Sequence, residues 1–291
     1  MAAIDSALMG AGELIMRDAE TSTGLIDQNV ILESAVLWHR DVIADISERL
    51  QDPDFPCLFS KNAFQKGLLR FIFVESVDPR GMRGLAKGLA QYVELSRDWS
   101  GSLNTAYPLV IAFSRNVVGA GSVSDYDAFG WRILQALHEL DPAPWPARVG
   151  TDPDAPGWSM CFSGMQLFCN MSHPAHVARR SRNLGRHFVM IVNPRERFDV
   201  VAGDTPAGRK VRKNIRSRIA YYDGMEHCPQ LAAYGDGALE WWQYSVSDEN
   251  KVRSDRCPFR FNLQAPSATD LKTLPAGSGA VQSTGEPRAA F

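Results

Sequence analysis

Strand-type and helix-type patterns alternate along this chain without a regular rhythm, and this irregularity constrains the fold more than any single motif. Residues 108–114 (PLVIAFS) form a short apolar run of the buried-strand type. Leu69 to Val77 crowds aromatic and β-branched residues together, again as strands do. Trp158 to Phe162 and Gln166 to Met171 read as two strands joined by a tight turn at Ser163-Gly164, and Phe188 to Val192 reads as another. Between them lie helical stretches. Ile31, Leu32, Ala35, Val36, Trp38, Val42, Ile43, Ile46 and Leu50 recur at spacings of three and four, giving a helix that ends near Gln51 before Asp52-Pro53-Asp54. Further helices are expected from Met82 to Arg97, from Asp125 to Leu140 with Asp125 as N-cap, and from Gly208 to Tyr222. A doubly wound sheet would need a repeated βαβ order. The pattern instead predicts an α+β fold: a single globular domain with a central, mostly antiparallel sheet flanked by helices.

One domain is expected over residues 1–264. Residues 265–291 are rich in Ala, Gly, Ser, Thr and Pro and have little to bury, so a disordered tail is expected there. Asp141-Pro142-Ala143-Pro144-Trp145-Pro146 must be extended, because three prolines remove donors and fix the backbone. No run of about 18 uncharged apolar residues occurs, which excludes a spanning helix. Asp5, Glu13, Arg17, Asp18 and Glu20 interrupt the first apolar clusters, so no secretory signal can be drawn. The five cysteines are an odd number with no C-x-x-C pair, which argues against a disulfide framework or zinc ribbon and for a reducing cytoplasm.

Charge is unevenly placed. Residues 179–218 carry twelve Lys/Arg against three acids, an excess of nine positive charges, so the remainder of a chain with net charge -2 is strongly acidic. An anionic partner is implied: nucleic acid, a phosphate or the carboxylates of a cofactor. The basic helix Arg209 to Arg218 could contact phosphates, but no nucleic-acid-binding motif accompanies it, and pairing with the acidic remainder of the fold is the favoured reading.

The most informative stretch is Ser172-His173-Pro174-Ala175-His176-Val177-Ala178-Arg179-Arg180-Ser181-Arg182. Neutral imidazole is a common iron and zinc ligand. His-x-x-His could place both rings on one side of a helical turn beginning after Pro174, although one ring could equally cap the turn while the other packs in the core. Arg179, Arg180 and Arg182 follow directly, and guanidinium groups bind carboxylates bidentately, as the propionates of a haem would require. A solvated charged helix is the plain alternative. Trp158, Met160, Phe162, Met165, Leu167, Phe168 and Met171 offer an apolar wall, or ordinary core. Cys161 and Cys169 lie among bulky neighbours, where thiols stay protonated. His138, beside Glu139 and Asp141, could be an oriented ligand or a helix-ending residue. No phosphate-binding glycine loop, nucleophile elbow or H-E-x-x-H occurs.

A set of separate motifs, in order, resembles the YqcI/YcgG family. These are Phe55-Pro56-Cys57; His138-Glu139-Leu140-Asp141 with Pro144-Trp145; Trp158 to Gly164; Pro174-Ala175-His176 with Arg179 to Gly185; Asn193-Pro194-Arg195 with Phe198-Asp199; Tyr222-Asp223; Glu240-Trp241 with Gln243-Tyr244; and Cys257-Pro258-Phe259. The resemblance implies a haem b enzyme, a monooxygenase that converts L-arginine to Nω-hydroxy-L-arginine in D-cycloserine biosynthesis. It implies His176 as the iron ligand, with His173 and His138 as alternates, and Arg179, Arg180 or Arg182 at the propionates. A guanidinium substrate needs a carboxylate partner, for which Glu75, Glu139 and Asp199 are candidates. The absence of a flavin or nicotinamide fingerprint leaves a separate electron donor as an expected partner, and a homo-oligomer is left open. A non-catalytic haem-binding or sensor protein, a non-haem iron enzyme using His173 and His176, and a nucleic-acid-binding protein are the competing readings.

Overall fold

The computed structural model describes residues 24–231 and 239–262. The boundary expected at 264 and the tail expected from 265 onward lie outside the described residues. The described chain is α+β, built on one six-stranded sheet in the order β1-β2-β3-β6-β5-β4. The strands are β1 (Ile26–Asp27), β2 (Arg70–Val74), β3 (Leu109–Phe113), β4 (Met160–Phe162), β5 (Met165–Ser172) and β6 (Phe188–Pro194). Only β2 and β3 pair in parallel, and the other four pairings are antiparallel, as the irregular pattern predicts. β3 is buried along its whole length, which explains why its sequence is continuously apolar.

Helices cover both faces of the sheet. In chain order they are α1 (Gln28–Ile31), α2 (Leu37–Gln51), α3 (Leu58–Gln65), α4 (Pro79–Ser96), α5 (Val123–Glu139), α6 (Arg195–Ala202) and α7 (Pro206–Asp223). On one face, Val42, Ile43, Ile46 and Leu50 of α2 pack with Phe71, Phe73, Val110, Ala112 and Val189 of the three central strands. α4 lies on the sheet through Tyr92, whose hydroxyl donates to the carbonyls of Tyr107 and Val192. Phe129 of α5 meets Phe113 and Phe188 edge-on. Among the described residues no helix is long and apolar enough to cross a membrane.

Local details correct several expectations. The N-cap of α5 is Ser122. Asp125 sits three residues on as the reciprocal partner of a capping box, since its carboxylate accepts from the Ser122 N–H. The Ser163-Gly164 turn is as expected: both residues have positive φ, 49° and 75°, the twist that a two-residue hairpin loop requires. No α-helix begins after Pro174. The backbone between β5 and β6 runs as turns with a single 3-10 turn at Arg180–Arg182, because the N–H groups of 177 and 178 are taken by the Asp248 carboxylate and not by helical carbonyls.

Two glycines bring the parts of the site together. A Cβ at Gly130 would lie 2.4 Å from Met171 Sδ and 3.0 Å from Phe188 Cζ, so its absence lets α5 press onto β5 and β6. One turn earlier on α5, Tyr126 is thereby laid over His173. Gly185, at φ 121°, has the Asp45 side chain 2.3 Å from where its Cβ would be, which brings the start of β6 against α2.

Candidate functional site

At the end of β5 the rings of Tyr126, His173 and His176 form a stack. Tyr126 and His173 are 4.6 Å apart and 4° from parallel, and His173 and His176 are 3.9 Å and 20°. The structure therefore brings the two predicted histidines face to face. They are not aligned along a helix but brought together by the turn in which the His176 N–H donates to the His173 carbonyl.

His176 is the more defined of the two. Its Nδ1–H donates to Asp248 Oδ1 at 2.5 Å, and the same carboxylate accepts from the Val177 and Ala178 N–H groups at 3.0 Å each. Burial, reinforced by the neighbouring His173, pushes His176 down to about 4 despite the Asp248 anion. The imidazole is thus neutral at pH 7, with the tautomer set by a carboxylate and Nε2 left as the nitrogen a metal would use, the arrangement that orients metal-ligating histidines. Partial burial pushes the Asp248 carboxyl up, but the bonds from His176 and the two backbone N–H groups outweigh it and hold it below its ordinary value.

His173 is fully buried, and neither ring nitrogen has a hydrogen-bond partner. Asp127 Oδ1 lies 3.8 Å from its Nε2 and is likewise unpartnered. Buried polar atoms are satisfied in most proteins, so these unpartnered atoms set the knot apart from the rest of the core. Among the described residues no cluster of three or more His, Cys, Asp or Glu side chains is arranged to hold a bare metal ion.

The three arginines diverge. Arg179 is buried and spent on the fold: Nε donates to the Ser247 carbonyl and Nη2 to Asn250 Oδ1. Arg180 is exposed, with its guanidinium 4.6 Å over the Tyr222 ring. Arg182 is buried, its Nη1 has no hydrogen-bond partner, and it lines a cavity of about 230 Å3 with Phe168, Phe198, Ile215 and Ile219. Burial lowers its guanidinium to about 10, which still leaves it charged at neutral pH.

The other candidates are dispersed. His138 packs against Trp145 and Phe259 in a separate aromatic cluster. Glu75 accepts from the Trp38 indole, Glu139 from Gln135, and Asp199 from Arg195, so the three carboxylates do not converge. Cys161 and Cys169 are buried; burial pushes the Cys161 thiol up to about 12 and raises Cys169 as well, in keeping with inert thiols. In the basic helix α7, Arg209 pairs with Asp204, and Arg212 and Arg218 donate to the backbone carbonyls of residues 202–203 and 53–56.

Several residues of the site escape sequence reasoning. Asp248 is 72 positions from His176 and lies in no patterned segment. Asp127 sits on an ordinary helix, and Asp223, which accepts from Ser181, is visible only as part of the Tyr222-Asp223 motif. Glu240 is buried and pushed up to about 7 by that burial, although Arg195 donates to it at 2.5 Å.

Comparison with known proteins agrees with the motif order. The profile of the YqcI/YcgG family matches residues 46–260. The chain is 57% identical over 254 residues to a Streptomyces lavendulae protein, DcsA, provisionally named an N(omega)-hydroxy-L-arginine synthase, a match covering 87% of this chain and 96% of the relative. It is 35% identical to YcgG and 32% identical to YqcI, two uncharacterized proteins of Bacillus subtilis, over 79% and 80% of this chain and 91% and 92% of theirs. No solved structure gives a significant match.

Proposed function

The chain belongs to the YqcI/YcgG family, and on that premise we propose that it is a haem b-dependent monooxygenase that N-hydroxylates the guanidino group of L-arginine. The product would be Nω-hydroxy-L-arginine, and the step would belong to D-cycloserine biosynthesis. The name of the 57% identical relative supports the arginine chemistry. The observation that carries the cofactor reading is His176, a buried neutral imidazole whose Nδ1–H is clamped by a carboxylate.

In this reading the donor set is that of an iron porphyrin, an imidazole with guanidinium groups near it in the chain. His176 would hold the iron through Nε2, with His173 as the alternate. Arg182 would meet a propionate, since its Nη1 is unpartnered beside an apolar cavity, whereas Arg179 and Arg180 are engaged elsewhere. Bound haem, held by His176, would supply the oxidising chemistry. The protein's own contributions are binding and proton placement. Asp248 fixes the proton of His176 on Nδ1, burial keeps that imidazole from charging above about pH 4, and the aromatic stack of Tyr126 and His173 shields its face from water. Any electron donor would be a separate protein or reductant.

The visible spectrum of the purified protein tests this reading. A Soret band, lost in His176→Ala and kept in His173→Ala, together with hydroxyarginine formed from L-arginine, is the expected result. A colourless protein that takes up no added hemin would end the haem reading, and haem binding without product would favour a sensor.

A further inference from the structure

A second cavity, not lined by the imidazole pair, opens beside it. This cleft lies between α2, the turn that follows β3 and the start of β6, and encloses about 600 Å3, the size of a small-molecule site. It lies beyond the carboxyl end of β3, a member of the parallel pair, where open sheets bind ligands. Tyr126 is both a wall of the cleft and the ring stacked on His173, so one side chain joins the two regions.

The cleft holds both signs of charge, and they are incompletely matched. Arg115 makes no hydrogen bond or ion pair with another described residue, so its guanidinium is available. Asp41 meets Arg186 at 3.7 Å, whereas Arg186 prefers Asp45, to which it donates at 2.8 Å and 3.0 Å. His187 is 5% exposed, lines the cleft and has a buried Nδ1 without a partner. Burial lowers its basicity, so the ring adds no positive charge to the cleft at neutral pH. Trp38 adds an aromatic face.

A guanidino amino acid has three requirements: a cation for its α-carboxylate, an anion for its guanidinium, and aromatic surface for the flat cationic group. We infer that this cleft is the seat of the guanidino amino acid substrate, with Arg115 receiving the α-carboxylate, Asp41 pairing with the guanidinium, and Trp38 and Tyr126 packing against its plane. The inference rests on the proposed arginine chemistry and adds the residues that choose the substrate. It also sets the specificity: agmatine lacks the carboxylate that Arg115 reads, and L-citrulline lacks the charge that Asp41 reads.

Calorimetric titration of the full chain with L-arginine, agmatine and L-citrulline tests it. Wild type is expected to bind L-arginine more tightly than either analogue. Arg115→Gln should weaken L-arginine at least about tenfold, the loss of one charge-assisted contact, and leave agmatine unchanged. Asp41→Asn should weaken L-arginine and agmatine alike and leave L-citrulline unchanged. If both variants bind L-arginine as wild type does while wild type forms hydroxyarginine, the cleft assignment is wrong and the arginine chemistry stands. If wild type binds no guanidino compound, the cleft assignment and the arginine substrate fall together.

Discussion

The imidazole knot and the neighbouring cleft share Tyr126 yet manage charge in opposite ways. In the knot, Asp248 gathers His176 and two backbone N–H groups, and Arg179 donates to Ser247 and Asn250, so these two charges have internal partners. In the cleft, Arg115 is left open and Asp41 is held loosely. A group buried at low dielectric must be paired or neutral, whereas a group at an open rim can wait in water for its ligand. The knot is thus built to fix one geometry, and the cleft to exchange its occupant.

The largest expected effect lies in the knot. Asp248→Ala should destabilise the fold by about 3 kcal/mol, because it leaves the buried Nδ1–H of His176 and two backbone N–H groups without their charged acceptor. Denaturant unfolding checks this, and a loss below about 1 kcal/mol would show that the knot is no more constrained than the cleft.

The pH response should be smaller and two-sided. His176 has a folded pKa depressed to about 4, so its contribution is complete above its ordinary value near 6.5 and is lost as pH falls toward 4. At most this amounts to about 3 kcal/mol. Glu240 is shifted the other way, up to about 7, so its contribution grows as pH falls from 7 to its ordinary value near 4.5. Wild type therefore partly offsets its own acid loss, and Glu240→Gln should lose stability more steeply between pH 7 and 4.5. Parallel stability curves for the two proteins would refute the offset.

The smallest effect belongs to the cleft. The Arg186 side chain is about half exposed and its pair with Asp45 is screened by water, so Arg186→Gln should cost under about 1 kcal/mol in the same unfolding measurement. A cost rivalling that of Asp248→Ala would erase the distinction between the two regions.

The sequence alone determined a good deal. The apolar run at 108–114 reads as a buried strand and Ser163-Gly164 as a tight turn, because burial and positive φ are local demands that residue types state directly. His173 and His176 were conspicuous because they are scarce and adjacent, and the motif order identified the family. Only the tertiary structure decided the rest. It set Asp248 against His176, sent Arg179, Arg180 and Arg182 in three directions, replaced the expected helix after Pro174 with carboxylate-tied turns, and drew Trp38, Asp41, Arg115 and His187 around one cleft. Those partners lie up to about 150 positions apart in the chain, and periodicity carries information only over a few turns or a single strand. Pairings set by crossover order and by the close approach that Gly130 and Gly185 permit leave no local trace to read.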